Sequence, residues 1–495
     1  MSVACATLPA VTEAQPRSRG RADPPSLSAT EVARLTGGRL LRTTDRPIGG
    51  GAVDSRLVVP GNLFVALPGE RTDGHRFLAD AAAAGAAALV VTRTPDAVAF
   101  ERLGDVAVIL VRDGLAALHA VAAGWRSRFT PLVVGVTGSI AKTSTKEAAA
   151  SVLAQRFETL RSEGNQNNEI GLPLTLLRLG PEHEAAVLEM GMYVGGEIAE
   201  LAAMARPDVG IVTAVLPVHL SRIGTMEAIE LAKGELVEAL PPGGTAILNG
   251  DDPRVARMAS RTAARVLTYG FGPDNDVTAD RLESAGAAGM RFILRLPGDL
   301  RRAVTTPALG RHGVHNALAA AAAGLAAGLG PDEICAGLAV GWSAPHRDRI
   351  LSLGPITILD DSYNASPTSV EAALDLLATL PARRRVAVLG EMLELGDEHE
   401  AGHWVVGKAA AGVVDLLLVV GEHVAALADA AIAAGLPRDA VIRVDDADAT
   451  LEAIRPRLRD GDTVLVKASR GIGLDRLVDA LALELASESS AEAAG

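Results

Sequence analysis

The stretch GVTGSIAKTST, residues 135–145, decides how this chain is read. It follows the apolar run PLVV (131–134) and opens onto KEAAASVLAQRF (146–157), a helix pattern. Strand, glycine-containing turn, Lys-Thr and helix, in that order, aim backbone N–H groups and a helix N-terminus at phosphate, with Lys142 beside it. The strict spacing of such loops calls for glycine at 136 and 141. This chain has Val136 and Ala141 there, and its glycines are Gly135 and Gly138. The bare pattern fails while the context holds, and a strand–helix turn with a solvated lysine is the competing reading.

Outward from the loop, the strand-like runs PLVVGV, AAVLEMG, VGIVTAV and GTAILNG alternate with helical segments. Val- and Leu-rich strands without polar alternation indicate a parallel sheet covered on both faces. A second such series, ITILDDS, RRVAVLG, DLLLVVG and DTVLVKAS, follows the linker SAPHRDRI. Ahead of both stands a smaller mixed unit. Its expected strands are GGAVDSRLV, GNLFVAL, AALVVT and VAVILV, and its first helix has Ser28 as N-cap and Gly37 as stop. The expected architecture is α/β in three domains: residues 27–130, 131–344 and 345–485, with flexible tails at 1–26 and 486–495.

The 495 residues carry a net charge of -13, which argues against a nucleic-acid surface. Hydrophobic residues make up 48% and aromatics only 3%, so the cores are expected to be built from Leu, Val and Ala. The two cysteines, Cys5 and Cys335, form no disulfide or zinc pattern and read as free thiols. No strongly apolar run reaches membrane-spanning length, and the N-terminal stretch lacks a continuous apolar signal core. A cytoplasmic protein is expected.

In open parallel sheets, ligands bind beyond the carboxyl ends of the strands. Glu189, His219, Asp360 and Asp361 fall there, as does the 135–143 loop. Thr143 offers a hydroxyl to Mg²⁺, and with Glu189 and His219 it makes an oxygen-and-imidazole set, although imidazole is an unusual Mg²⁺ ligand. Lys233 shares a helical face with Met226, Ile229, Leu236, Val237 and Leu240. Either its amine snorkels to water, or it points inward to a metal or phosphate cleft.

Taken together, these residues resemble the Mur ligase family. The likeness runs from about Ser28 to about Leu481. It rests on DSRLVVPGNLFVALPGERTDGH (54–75), the loop, EGNQNNEIGLPLTLLRL (163–179), LEMG (188–191), HLSRIGTMEAIELAKGEL (219–236), GRHGVHNALAAAA (310–322), LDDSYNASPTS (359–369), LGEMLELGDEH (389–399) and VLVKASRG (464–471). The resemblance implies a UDP-precursor-binding domain, a central ATPase of P-loop type and a C-terminal Rossmann-like domain. It implies an ADP-forming amide ligase acting in peptidoglycan precursor synthesis. In that reaction ATP phosphorylates the terminal carboxylate of UDP-N-acetylmuramoyl-tripeptide, and the amine of D-alanyl-D-alanine attacks the acyl phosphate. A monomer without nucleic-acid or membrane partners is expected.

The family likeness also assigns roles. Gly138, Ser139, Ile140, Ala141, Lys142, Thr143 and Ser144 would hold ATP phosphates. Asn316 would lie near adenine, Asp361 at ribose, and Arg347 would approach ATP from the last domain. Thr143 and Glu189 would bind one Mg²⁺; His219 and Lys233 would serve a second, Lys233 as a carbamate formed with CO₂. Lys142, Lys233 and His219 would be the catalytic group. Ser55 and Arg56 would meet the uridine nucleotide. Asn167, Asn168, Tyr363, Asn364, Lys467, Ser469 and Arg470 would contact the other substrate parts. Four positions depart from the family pattern: Ala141 and Ala468 replace glycine, while Ala214 and Gly313 replace asparagine. Alanine at 141 is nearly free if its φ is negative, and the loop is read on that basis as one with a tolerated substitution. A related folylpolyglutamate- or cyanophycin-type ligase and a non-catalytic nucleotide-binding homologue are the alternatives; the N-terminal DSR…GERTDGH unit argues against the former.

Overall fold

The computed structural model describes residues 25–69, 72–217 and 223–494, with side chains described as far as 484. His219 and Cys5 lie outside the described residues. Four sheets follow one another along the chain.

The first sheet has five strands in the order Arg39–Arg42, Ala107–Leu110, Ala88–Val91, Leu63–Val65, Gly51–Ala52, all pairs parallel except the first. Ser28 caps the opening helix Ala29–Thr36 by accepting from the Glu31 N–H, and Gly37 ends it with φ 61°, as its sequence signals predict. The expected strand at 50–58 is cut short. Its strand is only Gly51–Ala52, because the Asp54 side chain accepts the Arg56 N–H and turns Ser55–Leu57 into a 3₁₀ helix.

The second sheet is wholly parallel, ordered Arg265–Tyr269, Thr245–Asn249, Val209–Val212, Leu132–Thr137, Ala185–Glu189, Thr159–Arg161. Its inner strands are buried on both faces, which is why they read as unbroken apolar runs. The Ala-rich helix Gly310–Ala326 packs against helix Lys142–Leu153, and alanine lets the two backbones approach closely. A three-stranded antiparallel sheet, Thr278–Ser284, Met290–Leu296 and Leu300–Thr306, joins this lobe. Its strands alternate polar and apolar and form one face of the core.

The last sheet runs Arg349–Leu353, Ile356–Asp360, Asp462–Lys467, Arg384–Gly390, Leu416–Val420, Val441–Val444, parallel except for its antiparallel first pair. Helix Leu474–Ala494 closes the chain. It covers residues 486–494, where a flexible tail was expected; the segment is rich in Ala and Glu, strong helix formers, and contains no Pro or Gly. Among the described residues no helix is long and apolar enough to cross a membrane.

Candidate active site

A cavity of about 580 Å³ lies between the second and last sheets, lined by residues from both. The loop supplies Ser139 to Ser144, the neighbouring strand end Glu189, and the 226–238 helix Lys233. Across the cleft stand Arg347, Asp361, Tyr363, Asn364, Lys467, Ser469 and Arg470. Asn167, Asn168 and Asn316 complete the expected residues found there. Ser55 and Arg56 do not line the cavity; Arg56 is exposed and pairs with Asp54 at 2.6 Å.

The loop owes its shape to its backbone. Gly138 has φ 150°, and a Cβ there would lie 1.8 Å from Thr213 Oγ1. Thr213 in turn donates its hydroxyl to the Ile140 carbonyl at 2.6 Å. The Ser139 N–H donates to the Ala214 carbonyl, and its hydroxyl exchanges hydrogen bonds with Leu216. The contact at 214 uses only main chain, so alanine serves there. Helix Lys142–Leu153 begins with no capping side chain, so its first-turn N–H groups face the cleft without a side-chain partner. Ala141, at its start, has φ 63° and ψ 2°. The condition for a nearly free substitution, a negative φ, is therefore not met. The substitution is carried with strain, because a Cβ crowds the carbonyl in left-handed geometry.

Lys142 bends back to donate to the Gly138 carbonyl at 2.8 Å. Burial lowers its pKa, Glu189 opposes that, and Arg347 adds to it. Lys233 is 2% exposed, so the inward alternative holds over snorkelling. Burial, then the charge of Lys142, pushes its amine well below the usual lysine range. Glu189 sits in register beside Val136, at the root of the loop. Its Oε1 accepts from Asn167 Nδ2 at 2.8 Å, while its buried Oε2 has no hydrogen-bond partner among the described residues.

The facing wall is a charge network. Asp360 is fully buried and serves structure, accepting from the Ser362 hydroxyl at 2.6 Å and lying 3.0 Å from His346 Nδ1. Asp361 faces the cavity, bonded to Lys467; burial raises its carboxyl above the usual range. The linker holds His346 at φ 55° and Asp348 at φ 48°, left-handed values that cost non-glycine residues energy. Two contacts pin it: His346 to Asp360, and Asp348 to His312 at 3.0 Å. Arg347, between them, is held over the Tyr363 ring at 4.4 Å, with Arg470 at 4.8 Å from the same ring. His312 and Asp348 line the cavity and were not anticipated. His312 stands one helical turn before Asn316, the one signal that could have found it. Burial presses the His312 pKa down, but the charge and hydrogen bond of Asp348 together with the charge of Asp361 outweigh it, and the net shift is upward.

The other departures are accommodated. Ala468 packs onto Gly390, where an added Cβ would lie 2.5 Å from the alanine methyl. Gly313 abuts Ala308, 3.1 Å from where its Cβ would be.

Three consecutive segments match Mur ligase family models: the catalytic domain at 48–126, the middle domain at 136–324, and the glutamate ligase domain at 346–470. A Synechocystis protein named UDP-N-acetylmuramoyl-tripeptide–D-alanyl-D-alanine ligase is 39% identical over 87% of this chain and 91% of its own length. The crystal structure of MurF from Acinetobacter baumannii superposes with a TM-score of 0.82 at 30% identity, covering 93% of this chain and 99% of that one. MurF ligase from Thermotoga maritima in complex with ADP gives 0.76 at 28% identity, covering 89% and 98%. This chain belongs to the Mur ligase family.

Proposed function

We propose that the chain is an ATP-dependent amide ligase that joins D-alanyl-D-alanine to the terminal carboxylate of UDP-N-acetylmuramoyl-tripeptide, working as a cytoplasmic monomer. The observation that carries this reading is the meeting of Lys142, Glu189, Lys233, Asn316, Arg347 and Asp361 in one cavity between two lobes. Its support from kinship is the shared name of relatives matched over most of their length and the ADP complex of a matched structure. Residues 27–130 are assigned to the UDP end, 131–344 to ATP, and 345–485 to closing the site.

A free carboxylate is a poor electrophile, so the tripeptide acid must be activated. Its oxygen attacks the γ-phosphorus of ATP, the bond to the β-phosphate oxygen breaks, and ADP leaves. The amine of D-alanyl-D-alanine then adds to the acyl phosphate carbon, loses a proton, and expels phosphate from a tetrahedral intermediate. The protein's part is to hold charge and position groups. The first-turn amides and Lys142 bind the β- and γ-phosphates; Arg347 meets them from the facing wall. Asn316 receives adenine and Asp361 ribose. The Asn167–Asn168 loop and Tyr363, Asn364, Lys467, Ser469 and Arg470 guide the acid and the incoming amine. Ser55 and Arg56 meet the uridine end, outside the cavity.

The donors fit divalent cations. Glu189 presents a buried oxygen with no hydrogen-bond partner among the described residues, in the cavity that Thr143 also lines. Among the described residues no three His, Cys, Asp or Glu side chains cluster as a metal cage. That suits Mg²⁺, which binds through one or two carboxylates and takes phosphate oxygens and water for the rest. Thr143 and Glu189 would hold one ion, His219 and Lys233 a second. When bound, the ions neutralise charge on the phosphoryl group. Lys233 fits carbamylation: it is buried, and its amine is disposed to be neutral, the form that adds CO₂.

The test is phosphate release with UDP-N-acetylmuramoyl-tripeptide, D-alanyl-D-alanine and MgATP. Release that requires both co-substrates supports the assignment; release indifferent to either one refutes it.

A further inference from the structure

Lys146 is fully buried, yet it does not line the cavity. A buried ammonium is strongly unfavourable unless it is paired and hydrogen-bonded. Here it has one ion pair and one hydrogen bond. Its Nζ lies 2.9 Å from Glu147 Oε1, and Glu147 Oε2 is held by Arg161 Nε at 2.8 Å. The same Nζ donates to the Ser162 carbonyl at 2.6 Å.

Ser162 is where strand Thr159–Arg161 gives way to the loop carrying Asn167 and Asn168. It extends the strand's ladder, its N–H donating to the Val187 carbonyl at 3.1 Å. Its hydroxyl accepts the Glu189 N–H at 3.1 Å. At its far end the loop returns to the same residue. Asn167 Nδ2 donates to Glu189 Oε1, and the Asn167 carbonyl accepts the Gly191 N–H at 2.7 Å. Glu189 is therefore gripped at its backbone and at one carboxylate oxygen, with Oε2 left over.

We propose that Lys146 is a positioning residue which, through Ser162, fixes the Glu189 carboxylate so that its second oxygen is presented to a divalent cation. The inference rests on the proposed nucleotide–metal site. Lys146 touches neither nucleotide nor metal. It acts by holding the strand-to-loop turn in place, and Asn167 sets the carboxylate's rotation.

The test compares the full-length wild type with Lys146→Met, a near-isosteric apolar replacement, and with Ser162→Ala, which removes the acceptor for the Glu189 N–H. Mn²⁺ uptake in the presence of ADP is read by electron paramagnetic resonance, and ADP affinity is measured separately in chelator. Supporting groups around a metal ligand typically contribute 10–100-fold to metal affinity, so each variant should bind Mn²⁺ about tenfold more weakly, with ADP affinity in chelator changed by less than about twofold. A role in packing alone would leave Mn²⁺ affinity unmoved. Ser162→Ala keeps the test open should Lys146→Met fail to fold. Wild-type Mn²⁺ affinity in the folded variants overturns the inference and leaves the functional reading standing. Absence of ADP-dependent Mn²⁺ uptake in the wild type overturns both.

Discussion

Replacing Ala141 with glycine should make the protein more stable without harming turnover. Ala141 opens the 142–153 helix at φ 63° and ψ 2°. Left-handed geometry costs a residue with a Cβ roughly 1–2 kcal/mol, and glycine nothing comparable. Glycine also serves better than alanine at a helix N-cap. Against this, glycine frees the unfolded chain and costs about 0.4–1 kcal/mol. The balance favours the variant by roughly 0.5–1 kcal/mol. For a cooperative unit of about 200 residues that is a rise of about 1–4 °C in the midpoint of the transition belonging to the ATP lobe. Scanning calorimetry of the ligand-free protein measures it, and steady-state phosphate release measures the second half of the claim. The substitution removes one methyl and no charge or donor, so kcat/KM for ATP should be equal or higher. Ala141→Val should go the other way, since a β-branched side chain tolerates left-handed geometry least. A lower midpoint for Ala141→Gly, or a sharp loss of ATP turnover, would refute the argument by showing that the alanine methyl itself supports the loop.

Lys233→Ala should cost on the order of 10²–10³ in kcat, with partial recovery on adding short carboxylates; absence of a carbamate carbon signal in wild type under ¹³CO₂ would remove the modified-lysine assignment. His315 supplies a pH dependence. Burial holds its pKa at about 4, well under the ordinary histidine value, so the unfolded chain binds the extra proton between those values. Its contribution is present above about pH 6.5 and lost as pH falls through about 4, on the order of 3 kcal/mol in all. His315→Gln should flatten that limb in denaturant titrations, and an unchanged slope would exclude His315 as its source.

The parallel cores were legible because strands buried on both faces must be apolar throughout. The 278–306 sheet was missed because period-two alternation in strands rich in Arg reads as surface. The strand, loop and helix around residues 132–153 were legible from the order of their parts. The torsion at 141 was not, because φ is fixed by what Gly138, Thr213 and Ala214 enforce around it. Lys233 could be placed on an apolar face by counting. Lys146 could also have been found, since it stands four residues after Lys142 on the same helix face. A lysine flanked by Thr and Glu instead reads as solvated. His312 with Asp348 joins residues 36 apart in sequence, and no local pattern encodes such a pair.

The four departures from the family pattern divide by what the backbone does at each. At 214 the carbonyl makes the contact, and at 468 a glycine opposite receives the methyl. At 313 the neighbouring Ala308 leaves little room for a larger side chain. Only Ala141 carries a lasting strain. None of the four removes a charge, whereas the charged groups that remain are the ones a fold alone would disfavour. Lys233 is buried beside the like charge of Lys142, and the Glu189 Oε2 has no hydrogen-bond partner among the described residues. Such groups weigh against folding unless a ligand meets them. Their presence in one cleft is therefore better explained by nucleotide and cation chemistry than by a scaffold that has lost it.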